Sequence, residues 1–188
     1  MFNYEALRQY FQQLATNHEK IAHISNDSGK QAFFFFENEN VVNGFPSMVK
    51  APTTENPNPP LLFLMPYSSG YNDDHDLNLL REIECSYMVL AAVTKIDDPA
   101  EVSKVLTDCE KICHQINLRM KYDAANGSDL FYGIDFDLSK FHLSPIIRYY
   151  NNFYGIQCFI EFPTDNVDQC VDGDDWKDLD EGNYNIYA

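Results

Sequence analysis

LREIECSYMVLAAVTKIDDPAEVSKVLTDCEKICHQINLRM, residues 80–120, is the stretch whose reading decides the fold. From Arg81 to Val93 it alternates, with Ile83, Cys85, Tyr87, Val89, Ala91 and Val93 on one side and Glu82, Glu84, Ser86 and Met88 leading the other. That period of two predicts a half-buried strand. Helix-start chemistry follows at once. Asp98 is placed to cap free backbone N–H groups, Pro99 suits the first helical position, and Glu101 completes an Asp-x-x-Glu capping box. Beyond it Val102, Val105, Leu106, Cys109, Ile112, Cys113, Ile116 and Met120 recur at steps of three and four, one apolar stripe of a long helix. A strand feeding a helix through a short acidic turn therefore sits at the centre of the chain.

Outward from this pair, Asn3 to about Lys20 predicts an amphipathic helix with Leu7, Tyr10, Phe11 and Leu14 on one side and Ile21 continuing it. Gln31–Glu37 reads as a strand, and its run Phe33–Phe36 demands cover on both faces or a subunit contact on one. Val41–Pro60 holds Pro46, Pro52, Pro57, Pro59 and Pro60 and is expected to be a long loop. Leu61–Met65 suits a short strand, and the polar run 67–78 a second long loop. Asn126-Gly127 marks a break, Leu130–Asp137 a further strand, and Ser144–Phe162 a hairpin. A two-residue turn at Asn151-Asn152 would set Ile147 against Ile156 and Tyr149 against Tyr154. One face would then carry Pro145, Ile147, Tyr149, Tyr154, Ile156, Cys158, Ile160 and Phe162, the other Arg148, Tyr150, Gln157, Phe159 and Glu161. From Pro163 onward acids dominate, an extended arm with Trp176 as a docking anchor. The expectation is a single α+β domain over 1–162, mainly antiparallel sheet with two helices packed on it, and an acidic arm over 163–188.

With 188 residues, 45% of them hydrophobic, the chain can bury one real core. Its formal charge of −16, from 13 Lys and Arg against 29 Asp and Glu, argues against a nucleic-acid-binding surface, which needs a cation for each phosphate contact. No segment has the apolar length of a membrane span, and the start lacks the basic-then-apolar layout of a signal peptide, so a soluble cytoplasmic product is expected. Five cysteines without Cys-x-x-Cys spacing suggest reduced thiols, four of them in core positions.

Candidate chemistry is thin. The cluster Asp73-Asp74-His75-Asp76 offers metal-ligand types without the spacing of a calcium loop, and the acids around Asp172–Asp175 do no better. Cys109, Cys113 and His114 are close along a helix, but both cysteines fall on the apolar stripe. His18, His23, His75, His114 and His142 stand in no motif with a nucleophile, and there is no phosphate-binding glycine loop or nucleophile elbow. No enzyme, cofactor, catalytic or metal site is expected.

The strand IECSYMVLAAV (83–93), the helix DDPAEVSKVLTDCEKICHQI (97–116) and the hairpin SPIIRYYNNFYGIQCFIEF (144–162) together resemble the layout of tail-terminator and tail-completion proteins of tailed bacteriophages and of related head-tail connector ring proteins. The resemblance covers residues 82–162 and is one of pattern. It implies a structural virion protein of the neck or tail end, assembled in the host bacterial cytoplasm as a homo-oligomeric ring, touching portal, connector or tail proteins and letting DNA pass without specific binding. Phe34, Phe36, Phe45, Met48, Trp176, Leu179, Tyr184 and Tyr187 are the expected subunit contacts. The alternative is an acidic adaptor or inhibitor that mimics nucleic acid or binds a basic partner.

Overall fold

The structure is a computed structural model that describes residues 3–24, 31–36, 60–74, 78–126, 130–131, 134, 136–149 and 152–164, with side-chain surroundings for all but 71–74, 78–81 and 164. Helix α1 spans Tyr4–Asn17, and the side chain of Asn3 caps it by accepting from the Ala6 N–H at 2.8 Å. Strands β1 (Phe33–Phe35), β2 (Leu61–Leu64), β3 (Ser68–Asp74) and β4 (Asn78–Ala92) follow, then helix α2 (Pro99–Asn126), a 3-10 turn at Leu138–Lys140, and strands β5 (Phe141–Tyr149) and β6 (Phe153–Thr164). The sheet runs β1-β2-β4-β6-β5, with β3 also paired to β4. Only β1 and β2 are parallel; every other pair is antiparallel. The chain is an α+β domain, a mixed and mostly antiparallel sheet packed with, among the described residues, two helices.

β4 is the central strand, and its alternation is realised in packing. Ile83, Cys85, Tyr87 and Val89 pair in register with Phe162, Ile160, Cys158 and Ile156 of β6, and all eight are at most 5% exposed. This is the face on which the helices lie. The Tyr87 hydroxyl donates to Asn117 Oδ1 of α2 at 2.6 Å and lies 3.1 Å from the Cys113 carbonyl oxygen, while its ring meets Phe11 of α1. Cys109, Ile112, Cys113, Ile116 and Met120 are buried, as the helical stripe requires, and the thiols of Cys85 and Cys158 are buried with them. On the other side of the sheet, Leu61, Phe63, Met88 and Leu90 alternate with the helix-facing residues and are also at most 5% exposed.

The structure corrects several expectations. Residues 68–74 form β3 instead of lying in a loop: seven residues pair along Asn78–Glu84, and backbone bonds to a long partner strand outweigh the weak strand preference of Asn and Asp. The described part of 130–137 contains no strand. There Phe131 and Phe136 turn inward onto Phe162, so aromatic packing replaces ladder pairing, and Asp137 caps the 3-10 turn that starts β5 at Phe141. The hairpin pairs Pro145 with Ile156 and Tyr149 with Phe153, a register the two-residue turn did not give. A bulge between Ile146 and Tyr149 takes up the difference, and it turns Ile147 outward to 66% exposure. β6 runs on through Thr164, so pairing with β4 extends past the expected start of the arm. Glu101 does not close a capping box on Asp98. It accepts from the Thr94 N–H, the Thr94 hydroxyl and the Lys95 N–H, which ties the β4–α2 turn, while Asp98 alone caps α2 through the Ala100 N–H.

Candidate functional site

The eight expected contact residues divide. Phe45, Met48, Trp176, Leu179, Tyr184 and Tyr187 lie outside the described residues, as does the loop from 41 to 59 and the arm from 165. Phe34 and Phe36 are corrected: they are 7% and 3% exposed and stack on Phe63 at 5.1 and 5.2 Å between ring centroids. They belong to the chain's own buried core, with Phe35 packed against it.

What the sheet does leave open is part of the side turned away from α1 and α2, at its β4-β6-β5 end. Register places Glu84 directly opposite Glu161, and Ser86 opposite Phe159, which in turn faces His142 on β5. A cavity of about 370 Å³ opens between these residues and Tyr67, Ser68 and Lys140. Its floor is aromatic: Phe159 is 45% exposed, although it sits mid-strand. Its rim is charged. Two carboxylates face each other across neighbouring strands, an arrangement that destabilises unless cations intervene. Glu161 meets Lys140 Nζ at 3.3 Å, whereas Glu84 accepts only from the Ser68 hydroxyl, at 3.2 Å, among the described residues. His142 is exposed beside them and has no hydrogen-bond partner among the described residues.

β5 borders this groove as the last strand of the sheet, so one of its edges is unpaired by any described strand. Pro145 and the bulge break that edge, which blocks continuous strand addition and leaves side chains to make any contact there. At the bulge Arg148 has φ +60, a left-handed conformation uncommon outside glycine, and is exposed. Of the three arginine side chains described, Arg8 is paired with Glu5 and Arg119 with Asp123; Arg148 has no acidic partner among the described residues.

The chain matches no family model, no curated protein and no solved structure with which it was compared. Cys109 and Cys113 face the core and His114 points to solvent beside Glu110 at 3.9 Å, so the helix does not bring the three together. Burial pushes the Cys109 thiol up to about 12, the wrong direction for a thiolate ligand or nucleophile. Among the described residues no group of three or more His, Cys, Asp and Glu converges on a metal-sized site. Asp73 and Asp74 lie in β3; His75, Asp76 and the acids around 172–175 are outside the described residues. His23 is buried and accepts from the Ala32 N–H at 3.1 Å, and burial lowers its pKa. His18 contacts Gln115 across a second cleft, between α1 and α2, where Tyr10 donates to Asp123 at 2.9 Å and Arg119 grips the same carboxylate at 2.7 Å. Burial and then Asp123 push the Tyr10 hydroxyl far up, which makes it a neutral strut between the helices. No described helix is long and apolar enough to cross a membrane.

The open groove and the bulge escaped the sequence reading for one reason. Each depends on register: only pairing sets Glu84 against Glu161, and only the inserted residue at the bulge turns Ile147 out.

Proposed function

We propose that this chain is a structural virion protein of a tailed bacteriophage, building a ring in the head-tail connector or at the tail end through which DNA passes. The observation that carries the reading is the groove left open at the β6-β5 end of the sheet, together with the exposed bulge of β5. The described helices α1 and α2 lie on one face, the other face is open at its β6-β5 end around Phe159, and Ile147 stands exposed at the bulge of β5, whose outer edge pairs with no described strand. A surface of that kind, with a knob on one side and a groove on the other, suits contacts between unlike patches of identical subunits, which close into rings. The order strand, long helix, hairpin supports the likeness to tail terminators. The charge of −16 fits a conduit, because an acidic lumen repels phosphates and lets DNA slide. On this reading the protein belongs to the virion, is assembled in the bacterial cytoplasm, and meets portal, connector or tail proteins above and below.

The test is light scattering on the eluting full chain over a concentration series, with negative-stain images of the heaviest species. Hollow rings of uniform diameter are expected. A monomer at every concentration that is also missing from purified phage particles overturns the proposal. The same charge favours one other reading, an acidic adaptor for a basic partner, which would give a one-to-one complex that dissociates steeply as salt rises.

A further inference from the structure

We infer that the Ile147-Arg148 bulge of one copy seats in the Glu84–Glu161–Phe159 groove of the next, and that this contact joins the subunits. The inference rests on the ring reading and names the interface that reading lacks.

Charge complementarity identifies the occupant. The groove presents two carboxylates in direct cross-strand opposition, and among the described residues the one ammonium there, Lys140, is paired with Glu161. A guanidinium inserted between Glu84 and Glu161 would relieve that repulsion, and its planar set of donors can serve both carboxylates at once where an ammonium is a point charge. Arg148 is the described arginine that no carboxylate holds, and it is exposed at the bulge. Its neighbour Ile147, at 66% exposure, supplies the apolar half of the match to Phe159 at 45%. The pairing cannot form within one copy. His142, level with Phe159, and Arg148 are separated along β5 by roughly 20 Å at the usual strand rise, more than an arginine side chain spans. Bulge and groove are different patches, so each copy offers one of each and the contact repeats head to tail.

The experiment measures assembled mass by light scattering for the full chain and three variants: Arg148→Glu, Glu84→Arg, and both together. Both changed positions are exposed, and circular dichroism checks that the fold is kept. Each single change is expected to weaken association by about tenfold or more, as reversal of a contacting charge does, and the double change to restore much of it. A wild type that assembles while Arg148→Glu assembles equally well overturns this interface and leaves the ring reading standing. A wild type that never assembles, in solution or in particles, overturns both. A closed dimer sensitive to the same swap keeps the interface and removes the ring.

Discussion

At the scale of single residues, the core of this protein turns on a polar group. Tyr87 is fully buried, and its hydroxyl joins Asn117 and the Cys113 carbonyl, with Asn117 in turn 3.5 Å from the Cys158 sulfur. Tyr87→Phe leaves the buried Asn117 oxygen short of a strong donor, and the expected cost is about 1–3 kcal/mol, read as a shift of the urea midpoint. The thiols around it set a pH limit. Burial, with Cys158 as a lesser cause, pushes Cys85 up to about 12, and burial pushes Cys109 up to about 12. In the unfolded chain these thiols ionise from about pH 8.5, so the folded state gains nothing from them below that pH and loses ground as pH rises toward their folded values. The urea midpoint is accordingly expected to fall between about pH 8.5 and 11, and a thiol reagent near neutral pH to leave Cys85, Cys109, Cys113 and Cys158 unmodified until denaturant is added. Rapid modification of these four in the native chain would refute their burial. Tyr87 and the cysteines were legible from alternation and stripe. Asn117 was not, because a polar residue one step beyond Ile116 reads as solvated until a tyrosine is found pointing at it.

At the scale of elements, β6 is held against β4 so closely that one position has no room for a side chain. A Cβ on Gly155 would fall on the Val89 carbonyl oxygen and within 2.9 Å of the Leu90 Cα, both backbone and unable to yield. Gly155→Ala is therefore expected to destabilise by about 1–3 kcal/mol or to shift the β4–β6 register, which denaturant titration and amide exchange along both strands would report. The β5 bulge presents the opposite case. Arg148 sits at φ +60, where a side chain costs about 1–2 kcal/mol relative to glycine's freedom, so Arg148→Gly should raise stability or leave it level. If the bulge carries the subunit contact, the same change lowers assembly, and a variant both more stable and less associated would separate the folding role of this residue from its contact role. An Arg148→Gly chain that assembles undiminished would count against the contact. The hairpin was visible in the sequence as two apolar runs about Asn151-Asn152, yet its register was not. A bulge inserts a residue without any sequence mark other than an arginine where glycine or asparagine would be easier. β3 was hidden for a related reason, since Ser68–Asp74 has the composition of a loop and becomes a strand only because β4 is long enough to pair with it.

At the scale of the whole molecule, assembly as proposed would set a short-range attraction against a long-range repulsion, and their ranges would decide how it responds to salt. Every copy carries −16, and bringing copies together costs work that depends on ionic strength. The Debye length is about 30 Å at 0.01 M and about 8 Å at 0.15 M, so subunits whose centres lie tens of ångströms apart feel each other's net charge in dilute buffer and hardly at all at physiological salt. The proposed Arg148–carboxylate contact would span only a few ångströms, inside the Debye length at either condition, and covering Phe159 and Ile147 on association would shield it further. Salt therefore removes most of the repulsion before it removes much of the attraction. Assembled mass at fixed protein concentration is expected to rise between about 0.01 and 0.15 M salt, and to decline only at higher salt as the ion pair itself is screened. An acidic adaptor clasping a basic partner behaves in the reverse sense, losing affinity from the first addition of salt, because there the long-range term is attractive. Light scattering across a salt series thus separates the two readings by the sign of the initial slope, and a steady fall in assembly from the lowest ionic strength upward would turn the argument against the ring.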